Sequence, residues 1–106
     1  MIQEITPEQA QKSLVDSLEQ IVLDVRTTGE FGRNRIKGAI NLPVDELLKK
    51  VETIITDKTK RVLVYCLSGA RSEAAVEAMV QMGYTNVFSM TGGLLVWRLK
   101  QFPLEN

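Results

Sequence analysis

Apolar residues fall into two kinds of run along this chain, and the two kinds alternate. Ile21–Val25 (IVLDV), Arg61–Tyr65 (RVLVY) and Asn86–Met90 (NVFSM) are short and nearly continuous, as strands buried on both faces are. IQEI near the start and AINLP at Ala39–Pro43 read as two further short strands, the second ended by its proline. Between them the spacing becomes helical. Thr6 is placed to cap a helix with Pro7 at its first position and Gln9 three residues on, a capping-box arrangement. Ala10, Leu14 and Leu18 would then share one face. Leu47, Leu48, Val51, Ile54 and Ile55 make a stripe in VDELLKKVETII. Ala75, Met79 and Met82 line a further helix stopped at Gly83, and GGLLVWRLKQF supplies a last one introduced by Gly92 and Gly93. The segment RTTGEFGRNRIKG reads as a loop with at most a short helix.

Strands alternating with helices at this rhythm predict an α/β fold with a mainly parallel sheet covered on both faces. Ligands in such sheets bind beyond the carboxyl ends of the strands. Cys66 follows the RVLVY strand directly, so it is predicted at that edge. No repeat or linker interrupts the pattern, and 106 residues suit one domain over 1–106 with a core that needs no disulfide or metal.

Composition narrows the chemistry. Thirteen basic and thirteen acidic side chains cancel, so neither nucleic acid nor an anionic membrane is expected as a partner. No apolar run approaches the roughly 18–20 residues of a membrane span. MIQEITPEQ lacks the basic start and apolar stretch of a signal peptide, and a single cysteine cannot form an internal disulfide. Together these favour a reducing cytoplasm. The sequence contains no histidine, which removes Cys–His and Ser–His activation and every zinc site that needs imidazole. Neither a metal nor a cofactor is expected. If Cys66 is a nucleophile, backbone dipoles and arginines must stabilise its thiolate.

The loop after the strand is Cys66, Leu67, Ser68, Gly69, Ala70, Arg71 and Ser72, with four residues between cysteine and arginine. Gly69 can turn sharply, and Ser68 and Ala70 are small. A loop curling between a strand and a helix N-terminus can aim several N–H groups at one point and so hold an anion. The alternative is plain: Cys66 is a small buried residue in an ordinary strand-to-helix turn, and Arg71 a solvated first-turn arginine. Local chemistry leaves both open.

An ordered set of motifs bears on the choice. Asp24–Arg26 (DVR), Glu30–Phe31, Ile36–Ala39 (IKGA), the CLSGARS loop and Gly92–Trp97 (GGLLVW) together resemble the single-domain rhodanese family from about Ile21 to Leu99. The resemblance implies a five-stranded parallel sheet between helices and an active-site cysteine, Cys66, that becomes a persulfide. It implies a sulfurtransferase that takes sulfane sulfur from thiosulfate or a persulfide. The sulfur then passes to cyanide in an assay, or to a thiol or an acceptor protein in the cell. Leu67 through Ser72 would bind the substrate, with Arg71 and the loop amides holding the anion. Related phosphatases carry one more residue between cysteine and arginine, which opens the cradle for phosphate; four residues suit a single sulfur. Anion donors must lie about 2.7–3.1 Å away, so one residue of loop matters.

Three positions depart from the family pattern. Arg35 stands where histidine is frequent, Thr91 where an acid is frequent, and Leu67 where many members carry arginine or lysine. Leu67 cannot attract an anionic donor. Arg26, Arg33, Arg35 and Lys37 leave the same sheet edge and either compensate for it or form a solvated basic loop. Asp24 either supports the site, binding loop N–H groups and orienting Arg26 or Arg71, or caps the next turn. Trp97 and the methionines read as core. Competing with catalysis are a non-catalytic binding or sulfur-sensing module, and a small phosphatase or arsenate reductase, which the loop length disfavours. The oligomeric state is left open.

Overall fold

The structure, a computed structural model, describes residues 2–106. Its elements run β1 (Gln3–Ile5), α1 (Pro7–Val15), β2 (Ile21–Asp24), α2 (Thr28–Arg33), β3 (Ile40–Asn41), α3 (Leu47–Ile54), β4 (Val62–Tyr65), α4 (Ala70–Gln81), β5 (Val87–Met90) and α5 (Gly93–Leu99). A 3₁₀ turn at Val44–Glu46 leads into α3. The five strands form one sheet in the order β1-β5-β4-β2-β3, and every pairing is parallel.

Side chains that alternate across the central strands build two cores. Val62, Val64 and Cys66 face one layer, with Leu47, Val51 and Ile55 around α3 and Ala75, Val76 and Met79 of α4. Leu63 and Tyr65 face the other, with Ala10 of α1 and Leu94 and Trp97 of α5. This is the three-layer α/β/α arrangement expected from the alternating runs. Tyr84 closes the first core, donating its hydroxyl to the Ile55 carbonyl at 2.5 Å. Trp97 closes the second: its Nε1–H donates to the Pro103 carbonyl at 3.0 Å, and Phe102 meets the indole edge-on with centroids 5.1 Å apart.

Two details of the helices differ from their sequence patterns. Helix α1 stops at Val15, leaving Leu18 about half exposed. Ser17 takes a left-handed φ of 55°, its N–H reaches the Leu14 carbonyl and the Leu18 N–H reaches that of Ser13. This is a Schellman stop made without the glycine that usually signals one. In α3 the four-spaced row Leu47, Val51 and Ile55 faces the sheet, while Leu48 is 67% exposed and Ile54 38%. One residue of helix turns a side chain about 100° away, so the stripe is narrower than its apolar letters. No helix among the described residues is long and apolar enough to cross a membrane.

Trp97 lies at the centre of the second core with no exposed surface. Trp97→Ala is expected to lower stability by about 3–5 kcal/mol, read as a fall in the urea midpoint with an unchanged slope. A loss under about 1 kcal/mol would mean that this layer is not close-packed.

Candidate active site

The carboxyl ends of β2 and β4 lie side by side, with Asp24 level with Tyr65. The chain leaves β4 at Cys66, whose side chain is fully buried. Gly69 turns the loop with φ 109° and stands as N-cap of α4. The Gly69 N–H then donates to Cys66 Sγ at 3.1 Å and the Ser72 N–H at 3.4 Å. The thiol donates toward Ser72 Oγ at 3.6 Å. Ser72 itself donates to the Gly69 carbonyl at 3.0 Å and meets the Ser89 hydroxyl of β5 at 2.8 Å. Two amides at a helix start therefore converge on one sulfur atom. Ser68 and Ala70 face solvent, and Leu67 is half-buried.

The opposite side of the loop is held by α5. Leu94 N–H donates to the Cys66 carbonyl and Leu95 N–H to the Leu67 carbonyl, each at 3.0 Å. The approach is close enough to require glycine. A Cβ on Gly93 would fall 2.4 Å from the Leu67 oxygen and 2.6 Å from the Cys66 oxygen, and its φ is 57°. The paired glycines of the GGLLVW motif thus let one helix end seat directly against the cysteine loop.

Among the described residues, Arg71 makes no hydrogen bond to Cys66 Sγ. It forms a two-point ion pair with Glu30 of α2, Nη1 to Oε1 at 2.8 Å and Nη2 to Oε2 at 3.0 Å. Glu30 also closes a capping box with Thr27: the Thr27 N–H donates to Oε1 at 3.0 Å and the Glu30 N–H to Thr27 Oγ1 at 3.2 Å. The Arg71 hydrogen bonds, with those from Thr27, hold the Glu30 carboxyl down from its ordinary 4.5 to about 2. The spacing of Thr27 and Glu30 carries the capping signature, which could have marked Glu30 as fixed; nothing local points to Arg71, 41 residues away.

Asp24 and Arg26 form a buried pair. Arg26 Nη2 donates to Asp24 Oδ2 at 2.7 Å, Nε to Oδ1 at 3.0 Å, and the Arg26 backbone N–H to Oδ1 at 2.9 Å. Asp24 thus takes a turn N–H and orients Arg26, while Arg71 pairs with Glu30. Nη2 of Arg26 also reaches the Asn34 carbonyl at 2.6 Å, tying the end of α2 to the sheet edge. Burial raises the Tyr65 phenol above its ordinary range, with the neighbouring Asp24 carboxylate adding to it. Tyr65 stays neutral and accepts from the Ile36 N–H at 3.1 Å.

Of the four basic residues after β2, Arg26 and Arg33 line a cleft of about 150 Å³, together with Glu30, Asn34, Leu67 and Arg98. Arg35 turns away to the Phe31 carbonyl and Glu105. Lys37 borders a larger hollow of about 360 Å³ between α1, α5 and the C-terminal segment, which contains no residue of the cysteine loop. The smaller cleft takes in one residue of the cysteine loop, Leu67. Arg98, for which the sequence pattern predicts no role, joins it from the last turn of α5.

The family model for the rhodanese-like domain matches residues 6–100. The chain belongs to this family. It is 32% identical over 104 residues to a sulfurtransferase from Allochromatium vinosum, covering 98% of this chain and 95% of that one. It is 39% identical over 72 residues to the thiosulfate sulfurtransferase PspE of Escherichia coli, covering 68% of each. The crystal structure of a rhodanese-related protein from Thermoplasma volcanium superposes with a TM-score of 0.86 at 31% identity, covering 97% of both chains. The five-stranded parallel sheet of this rhodanese-like domain accords with that neighbour.

The Glu30 carboxyl is depressed in the folded state, so its contribution to stability is complete above its unfolded value near 4.5 and fades as pH falls toward 2. Glu30→Gln is expected to cost about 1–3 kcal/mol near neutral pH. The gap between variant and wild type should close between about pH 4.5 and 2 in urea unfolding at stepped pH. A gap independent of pH would show that the ion pair is not what the substitution removes.

Proposed function

We propose that this chain is a sulfurtransferase that carries sulfane sulfur as a persulfide on Cys66, acting as one domain across residues 1–106. The observation that carries the reading is the convergence of the Gly69 and Ser72 amides on Cys66 Sγ at the end of β4. Relatives named sulfurtransferases support the same role. Four residues between Cys66 and Arg71 keep the cradle small, as one sulfur requires.

In the first half-reaction the Cys66 thiolate attacks the outer sulfur of a donor such as thiosulfate. A new S–S bond forms, the donor's own S–S bond breaks, and sulfite leaves with the electron pair. The terminal sulfur of the persulfide remains anionic, and fixed amides stabilise it without reorganising. In the second half-reaction a nucleophile takes that sulfur and the Cys66 thiolate returns. With no second cysteine in the sequence, the acceptor is external: cyanide in an assay, a small thiol or an acceptor protein in a cell. A cytoplasmic setting, where thiols stay reduced, suits this cycle. Arg71 acts as a positioning residue, clamping the start of α4 to α2 through Glu30. Asp24 and Arg26 fix the neighbouring edge, and Leu67, Ser68 and Ala70 border the entry.

A second reading, a binding or sulfur-sensing module without turnover, draws on the complete burial of Cys66 and the apolar Leu67. Intact-mass analysis after incubation with thiosulfate or glutathione persulfide separates them. Sulfurtransfer predicts one added sulfur on the wild type, none on Cys66→Ala, and its removal by cyanide. An unlabelled wild type, or equal labelling of the variant, would falsify it; a persulfide that no acceptor removes selects the sensing module.

Leu67 gives a narrower expectation. Leu67→Arg adds a cation to the cleft lining and should raise kcat/KM for thiosulfate by roughly two- to fivefold, the effect of about 0.5–1 kcal/mol of attraction at a partly exposed site. Unchanged efficiency would remove charge as the factor at this position.

A further inference from the structure

The cleft at Leu67 is bordered by three arginines, of which one is committed. Arg26 is bound to Asp24. Arg33, in the last turn of α2, and Arg98, in the last turn of α5, are exposed and enter no ion pair among the described residues. The carboxylate that shares the cleft, Glu30, already has both oxygens on Arg71. Two guanidinium groups from helices far apart in sequence thus border one recess, beside the loop residue that carries no charge. Guanidinium presents a fork of donors matched to oxyanions.

We propose that Arg33 and Arg98 form an oxyanion clamp for the part of the sulfur donor that is not transferred. The ligand class is an anionic sulfane-sulfur donor: its charged end is the sulfonate-like oxygens of thiosulfate or the carboxylates of a thiol persulfide. Only the identity of the ligand rests on the sulfurtransferase reading; the clamp is a property of the cleft. During transfer Cys66 Sγ bonds to the sulfane sulfur, and the bond between that sulfur and the clamped group breaks. The electron pair leaves on sulfite or on the thiolate of the persulfide donor. The carboxylates of a persulfide donor keep their charge through this step, so the arginines bind them equally in ground and transition states. Sulfite leaves with an added electron pair, so its oxygens are held more strongly in the transition state. The loss on their removal falls on KM with a persulfide donor and on both KM and kcat with thiosulfate.

The test compares wild type with Arg33→Gln, Arg98→Gln and the double variant, following initial rates with thiosulfate and, separately, glutathione persulfide. Iodoacetamide, which is neutral, reports the intrinsic reactivity of Cys66. Each single variant should raise KM roughly five- to tenfold, and the double variant more, with kcat unchanged for glutathione persulfide and lowered for thiosulfate, and with an alkylation rate within about twofold. The donor whose KM rises identifies the oxyanion: thiosulfate for sulfonate oxygens, glutathione persulfide for carboxylates. An unchanged KM with both donors, or alkylation that falls in step with turnover, overturns the clamp. In parallel, thiosulfate is titrated into Cys66→Ser protein while the arginine side-chain N–H resonances are followed by NMR. Shifts at Arg33 and Arg98 that vanish in Arg33→Gln/Arg98→Gln on the same background support the clamp, and their absence overturns it. If wild type takes sulfur from neither donor, the sulfurtransferase reading fails by itself and the titration alone decides the clamp.

Discussion

A peptide loop that turns its amides toward one atom has to turn carbonyls the other way, and buried carbonyls need donors. The cysteine loop meets this constraint on its outer side. The Cys66 and Leu67 carbonyls take the N–H groups of Leu94 and Leu95, and the Gly69 carbonyl takes the Glu73 N–H and the Ser72 hydroxyl. With those groups satisfied, the Gly69 and Ser72 amides are left directed at Sγ. The glycine pair before α5, the left-handed Gly69 and the buried Ser72–Ser89 contact are parts of one solution. Remove the helix end beneath the loop and its carbonyls would compete for the same space as the anion.

The charged pairs around the loop differ in kind. Asp24–Arg26 is almost wholly out of water. Desolvation makes such a pair a poor source of net stability, although breaking it by removing one partner is costly. Its value here is positional. One guanidinium joins the end of β2 to the end of α2 and lies against the Tyr65 ring, 5.8 Å from its centroid. Arg71–Glu30 is about a quarter to a third exposed and links α4 to α2 from the solvent side. The two bridges hold α2, which buries no residue of its own, against the edge where the cysteine sits.

The elements were legible where local physics decides them. The Thr6–Gln9 capping box is formed, and Gly83 ends α4 with φ 100° as its position suggested. The end of α1 was hidden because Ser17 adopts the conformation that Gly83 advertises. In the loop, the spacing from Cys66 to the helix start placed the sulfur among amides, since only the strand end and the turn are involved. The partner of Arg71 could not be read this way. Periodicity tells which face a side chain occupies, not which element folds opposite it, and Glu30 comes from a helix of six residues that sequence pattern barely registers. Arg98 was obscure for the same reason: a polar position on an amphipathic helix looks alike whether it borders bulk water or a cleft.

Helix α5 gives the cysteine loop two main-chain N–H groups from its first turn and borders the cleft through a residue of its last. Seven residues of helix span about 10 Å, so the two ends are rigidly related yet chemically separate. Main-chain hydrogen bonds tolerate any residue except proline that fits the core at Leu94 or the surface at Leu95, and the exposed Arg98 can vary without disturbing them. A lineage built on this scaffold can therefore drift in what it recognises while inheriting the sulfur cradle unchanged.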